Sequence, residues 1–530
     1  MTEERALVSG HPEGESGKTG FDGSGMVGSL DTFAGKVQVR WVPEAAVSSL
    51  GLLPYFIEFL KVSGRFESWV ADCPLEYRSG NAPQKRDVLG TILLSVLAGH
   101  WRYAHISAIR GDGVNPELLG MTKVVSEDSV RRAMKALDEE RSEAWLKQHL
   151  KASCEPLLEE PWALDMDTTV KVLYGHQEDA RVGYNPTKPG RPSHAIHSYF
   201  IANVRMVVDV EVQAGNQTAS SFAQPELWAL LDSLKQSGHT PSFLRGDCGW
   251  GTERAMLGAE QRAVPYLFKL KQTTNVQKLI ARLFGREEWV EAGQRWQGLD
   301  TELQLSGWSR KRRVVVLRRA LPELDGPGLT DKPKTTSRNK RKAPRQMTLD
   351  LPQTIYGGVQ YEYSVLVTSL GDEVRTLAQH YRDRGDAENN FDELKNQWGW
   401  AGFTTQDTRR CEIMARITAL IYNWWTIFMR LGIPDKHAEA ITSRPLAMNG
   451  IARRTTHANQ TTVDITSTHA KASVIAVVLL NVSAFLKRLA GNAEQYTRPR
   501  RWSLILSAAF RFFLKGKILG DTLRLAQATG

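Results

Sequence analysis

Three acidic residues, far apart in a chain of 530 residues, are placed to do chemistry together. Asp167 closes the run "LDMD" and Asp247 closes "FLRGD", each at the expected end of a β-strand. A rigid sheet commonly holds reacting groups at such ends. Neighbouring strands lie about 4.8 Å apart, so two adjacent strands can bring both carboxylates to one divalent cation. Asp165, two residues before Asp167, points to the same face and is a rival ligand or a supporting group. Glu388 lies in "YRDRGDAENNFDELK", residues 381–395. Read as a helix turning roughly 100° per residue, this stretch sets Tyr381, Arg384, Glu388 and Lys395 within about 60° of one another. With Glu388 the set becomes three oxygen-donor acids of the kind that holds Mg²⁺. Two such ions, about 3.5–4 Å apart, activate an attacking oxygen and stabilise a leaving one in phosphodiester chemistry. Arg384, as a fork, and Lys395, as a point charge, then suit flanking phosphates, and Tyr381 suits a phosphate or a sugar. Each feature alone has a plainer reading. An Asp at a turn is commonly structural. A Tyr, Arg, Glu, Lys stripe is commonly a solvated face, a role open equally to Asp392 and Glu393.

The elements that must position these groups follow from pattern. Residues 50–150 read as helical. "SEDSVRRAMKAL" (126–137) has Ser126 as N-cap, Glu127 and Asp128 in the first turn, and Val125 placed to staple onto Val130. With "TILLSVLAGHWRYAHI" before it, the pair reads as a helix-turn-helix presenting Arg131, Arg132 and Lys135 to DNA, or as a bundle with a solvated basic face. At 162 the pattern changes to strands. "WALDMDTTVKVLYG", "SYFIANVR" and "MVVDVEVQAG" form a meander, followed by a helix over 224–238 and the short strand "PSFLRGD". A helix from about 252, the strand "VPYLFKLK" and a helix from about 273 complete a mixed sheet with helices on its faces. Residues 287–370 are strand-like and contain the basic loop "KPKTTSRNKRKAPR" (332–345), which is exposed and either meets phosphate or is simply solvated. One helix is expected over 373–397. Residues 405–490 read as helical, followed by a basic amphipathic end.

Composition bounds the partners. A formal net charge of +10 and a pI near 9.3 favour a polyanion. Four scattered cysteines without a Cys-x-x-Cys pair argue against a disulfide scaffold or structural zinc and suit a reducing cytoplasm. Residues 1–31 read as a disordered tail. The apolar stretches at 91–99, 417–429 and 474–486 each fall short of the roughly 20 residues of a spanning helix, so no membrane is expected.

Taken together, these residues resemble bacterial insertion-sequence transposases of the DDE type, in the insertion sequence 4 group, and most of all the insertion sequence 1380 family. The resemblance covers residues 160–430. It is carried by "DMDTTVKVLYGHQEDARVGYNPTKPGRPSHAIHSYF", by "RGDCGWG", and by the spacing of Tyr381, Arg384, Glu388 and Lys395. It implies an RNase H-like catalytic domain (156–286 and 371–430) interrupted by a β-rich insertion (287–370). A helical N-terminal DNA-binding domain (32–155) and a helical C-terminal region (431–530) flank it. By the same resemblance Asp167, Asp247 and Glu388 are the catalytic acids holding two Mg²⁺ ions, with Mn²⁺ able to substitute and Asp165 the alternative first acid. Tyr381, Arg384 and Lys395 contact the transposon end. Lys188 and Arg191 touch DNA. Trp308, or Trp296, from the insertion stabilises a flipped base. The implied activity is cleavage at terminal inverted repeats and joining of the 3′-hydroxyls to target DNA, through a hairpin, by a homodimer at the nucleoid. Two other classes remain open: a catalytically silent DNA-binding descendant, and a structure-specific endonuclease on the same fold.

Overall fold

The structure is a computed structural model that describes residues 27–40, 42, 45–77, 79–185, 188–217, 219, 224–321, 355–356, 359–400, 402–492 and 495–520. The basic loop at 332–345 lies outside these residues. So does 1–26 of the expected tail, whereas Val27–Thr32 pairs with Gly35–Arg40 as an exposed hairpin.

The architecture is mixed α/β, built on a large sheet with helices on its faces. One of its inner strands is Ala163–Val172. On one side Ala163–Val172 pairs antiparallel with Pro192–Ile201, which pairs antiparallel with Met206–Ala214. On the other side it pairs parallel with Phe243–Gly246, which pairs parallel with Tyr266–Lys269. The meander and the two crossovers are those the alternating pattern predicts. Every residue of Phe243–Gly246 is buried, as a central parallel strand covered on both faces requires.

The insertion departs from expectation. Val359–Thr368 pairs antiparallel with Tyr266–Lys269, and Arg312–Ala320, Trp296–Leu303 and Val290–Gly293 follow outward in order. These strands extend the same sheet. The cause is the apolar runs at 314–317 and 365–367, whose members are all buried and so need covering on both faces.

The N-terminal helices pack against helices far along the chain. Phe56 on the helix Leu53–Ser63 meets Trp425 at 5.3 Å, Phe59 meets Trp502 at 6.2 Å, and Trp69 meets Trp424 at 5.7 Å. N- and C-terminal helices therefore share one core around Thr408–Gly432, a helix buried almost throughout its 25 residues. Such all-round burial marks a central helix.

Ser126 caps Glu127–Ala136 as expected, accepting from Ser129 N–H at 3.3 Å. Lys85–Leu97 packs against it, but residues 98–126 between them carry two further helical turns, Tyr103–Ile109 and Asn115–Leu118. That is not the three- or four-residue turn of a helix-turn-helix. Arg131, Arg132 and Lys135 are all exposed, with Arg131 over the Tyr103 ring at 4.8 Å. The stretch 405–490 also contains a hairpin the helical reading missed, Ile451–His457 with Gln460–Thr466, to which Val47–Ser48 adds a third strand. The helix Ala472–Gly491, with 20 residues, is long and apolar enough to cross a membrane by length and composition. It is longer than the 474–486 stretch suggested and packs on Leu53–Ser63 and Thr408–Gly432.

Candidate active site

Register decides the site. Asp165 pairs with Arg245 and Met166 with Gly246 across the parallel strands, so Asp167 and Asp247 follow side by side. Asp247 begins the turn after its strand. Asp167 does not end its own, which runs on to Val172 because Pro192–Ile201 continues to pair with it. Each carboxylate is held by local backbone. Asp167 Oδ1 accepts from Thr168 N–H at 2.7 Å, and Asp247 Oδ1 accepts from Gly249 N–H at 2.8 Å. The residue before Asp247 has to be Gly246, since a Cβ there would lie 2.7 Å from the Trp250 ring.

Glu388 is carried in by the helix Gly385–Gln397. The expected single helix is interrupted at Asp383–Arg384, with Val374–Arg382 ahead of the interruption and Arg384 N–H bonding Tyr381 O three residues back, at 3.1 Å. The Arg384 side chain is buried and bridges two acids. Its Nη2 donates to Asp167 Oδ2 at 2.6 Å and its Nη1 to Glu388 Oε1 at 3.0 Å. Glu393 anchors the same helix from within, accepting from Trp398 Nε1 at 3.0 Å and Ala440 N–H at 2.9 Å.

The electrostatics are those of converging acids. Burial pushes the Asp167 carboxyl up to about 7, with Asp247 and Glu388 adding to the rise and Arg384 opposing it. Burial alone would depress the Arg384 guanidinium, but the surrounding acids, Asp167 first, outweigh it and the net shift is upward. Tyr381 is half-buried beside this group, its phenol pushed up chiefly by burial. Lys395 is half-buried with its ammonium depressed by burial.

Three sequence candidates fall elsewhere. Both Asp165 oxygens are engaged by Arg245, Oδ1 by Nε at 2.5 Å and Oδ2 by Nη2 at 2.6 Å, in a fully buried pair. Arg245 also donates to His380 O, tying the sheet to Val374–Arg382. Trp308 is 8% exposed and packs into the main core, with Arg312 over its ring at 5.5 Å, so it presents no face to DNA. Trp296 is half-buried under Arg319. Arg245 is the residue the sequence reading missed. Its signal was present: "LDMD" and "LRGD" each place a charged residue two before the acid, on the same face. Beyond the Ala163–Val172 strand, Tyr174 is 68% exposed. Lys188 Nζ donates to its hydroxyl at 2.5 Å, and the Arg191 guanidinium lies 5.6 Å from its ring.

A family model described as the transposase DDE domain, group 1, matches residues 51–325. The chain belongs to that family. It is therefore a DNA transposase of the DDE kind, and the matched span includes both Asp167 and Asp247. No curated protein matches it. Among solved structures, the cryo-electron microscopy structure of a piggyBac transposase synaptic complex with hairpin DNA is similar at a TM-score of 0.34 and 10% identity, over 85% of this chain and 84% of that one. That similarity is too low to carry further weight.

DDE domains generally use divalent metals, and the donors of this transposase fit one in kind. Asp167, Asp247 and Glu388 offer only hard oxygen ligands. Their mutual repulsion at Asp167 is the charge a cation relieves, and a guanidinium already stands between two of them. Among the described residues no three such donors are gathered tightly enough to enclose one ion.

Proposed function

We propose that this transposase cuts DNA at the terminal inverted repeats of an insertion sequence of the insertion sequence 1380 type and joins the freed ends to target DNA. Asp167, Asp247 and Glu388 hold two Mg²⁺ ions. The observation that carries the reading is the parallel register setting Asp167 beside Asp247, with Glu388 linked to Asp167 through one arginine. Bound there, divalent ions supply polarisation of the scissile phosphate and activation of the attacking oxygen. The chain's own groups do the rest. Asp167 and Asp247 are oriented by the Thr168 and Gly249 amides. Arg384, Lys395 and Tyr381 grip phosphates on either side of the scissile bond, Arg384 in a fork. Release proceeds through a hairpin, and two copies of the chain bring the two ends together.

The test supplies an end-bearing duplex with a plasmid target in Mg²⁺. Joined product is the expected result, and EDTA removes it. Cutting without any joining would favour a structure-specific endonuclease, and binding without cutting a silent descendant.

The loop carrying Tyr174, Lys188 and Arg191 is assigned to DNA flanking the cut. Removing both charges, Lys188→Ala with Arg191→Ala, is expected to flatten the slope of log affinity against log salt by about 1.8, at about 0.9 per phosphate contact. An unchanged slope in a filter-binding titration would remove this loop from the interface.

A further inference from the structure

The inference rests on reading Asp167, Asp247 and Glu388 as the metal-holding acids, and it concerns Arg384. The guanidinium lies where a cation shared by Asp167 and Glu388 would lie, at 2.6 Å from one and 3.0 Å from the other. The side chain is only 7% exposed, so its charge is answered by these carboxylates more than by water. Its backbone sits at the interruption between Val374–Arg382 and Gly385–Gln397, where Arg384 N–H closes a tight four-residue turn onto Tyr381 O. Short tight turns inside a helix are frequent hinges. Gly385 follows, and a side chain there would meet nothing within 4 Å, so the joint is uncluttered.

We propose that Arg384 is an internal counter-ion, occupying the cation position in the DNA-free enzyme and leaving it for a DNA phosphate, so that metal loading and DNA binding are coupled. A guanidinium and a metal ion repel and cannot share one pair of carboxylate oxygens. A phosphodiester offers the same forked, anionic seat as the carboxylates, so incoming DNA competes for Arg384 directly. One side chain holds both acids, so its departure releases Asp167 Oδ2 and Glu388 Oε1 in one event. Linkage makes the coupling reciprocal: the factor by which DNA tightens metal binding is the factor by which metal tightens DNA binding.

Mn²⁺ binding to the full chain, followed by loss of the free-ion paramagnetic resonance signal, reads this without any turnover. Without DNA, R384Q is expected to bind Mn²⁺ about tenfold or more tighter than wild type, while R384K, which keeps a positive head, stays close to wild type. Mixed-sequence duplex at low salt should tighten Mn²⁺ binding in wild type and do so less in R384Q. R384Q binding no tighter than wild type overturns the proposal. Should R384Q fail to fold, the wild-type arm decides by itself, because Mn²⁺ affinity identical with and without duplex also overturns it. The metal reading fails separately, and only if Asp247→Asn and Glu388→Gln both leave Mn²⁺ binding intact.

Discussion

Replacing Glu388 with Gln will abolish DNA strand cleavage, by on the order of 10³-fold or more, and leave end binding nearly unchanged. The substitution keeps shape and a hydrogen-bond acceptor, so the bond from Arg384 Nη1 survives. What it removes is a negative charge and a ligand for a hard cation. The side chain is 67% exposed, so the fold does not depend on it. Cleavage and gel-shift assays on one duplex, run side by side, separate the two effects. Normal cleavage in Mg²⁺ by E388Q would mean that the third acid is elsewhere.

The second large effect is on stability. Arg245→Ala strips the partner from a carboxylate buried at the centre of the sheet, and breaking such a pair typically costs about 3–5 kcal/mol. It also removes the donor to His380 O, which fixes Val374–Arg382 and, through it, the helix that bears Glu388. A marked fall in the thermal unfolding midpoint is expected. Replacing both partners by apolar residues of similar size, R245M with D165L, should recover much of the loss, because no uncompensated charge is left buried. Asp165→Asn leaves the buried Arg245 guanidinium without its carboxylate, so a fall in the unfolding midpoint is expected here too, with cleavage retained by the folded protein. A folded but inactive D165N would make Asp165 the first acid in place of Asp167.

How far the sequence can be read depends on the range of the interaction involved. The meander, the two parallel strands and the capped helix at Ser126 follow from patterns a few residues long, and the structure has each of them. The adjacency of Asp167 and Asp247 was conditional on two strands being neighbours, and the pairing of Ala163–Val172 with Phe243–Gly246 supplies it. What was illegible depends on partners distant in the chain. Asp165 looks like a ligand until Arg245, on another strand, takes both its oxygens. Trp308 looks like a base-contacting aromatic until its burial in the core is known. The insertion looks like a domain because its boundary in sequence is sharp, although its strands hydrogen-bond to the sheet it interrupts. The hairpin at 451–466 is largely exposed and carries many polar residues, so no apolar pattern announces it.

The core shared by Leu53–Ser63 and Arg498–Ala509 bears on biosynthesis. Phe59 packs against Trp502, about 440 residues later in the chain. At a synthesis rate of ~5–20 residues per second, the earliest apolar helices wait on the order of 20–90 s for their final partner to leave the ribosome. Through that interval they are exposed to aggregation and to chaperones, and this core closes only once Arg498–Ala509 has been synthesised.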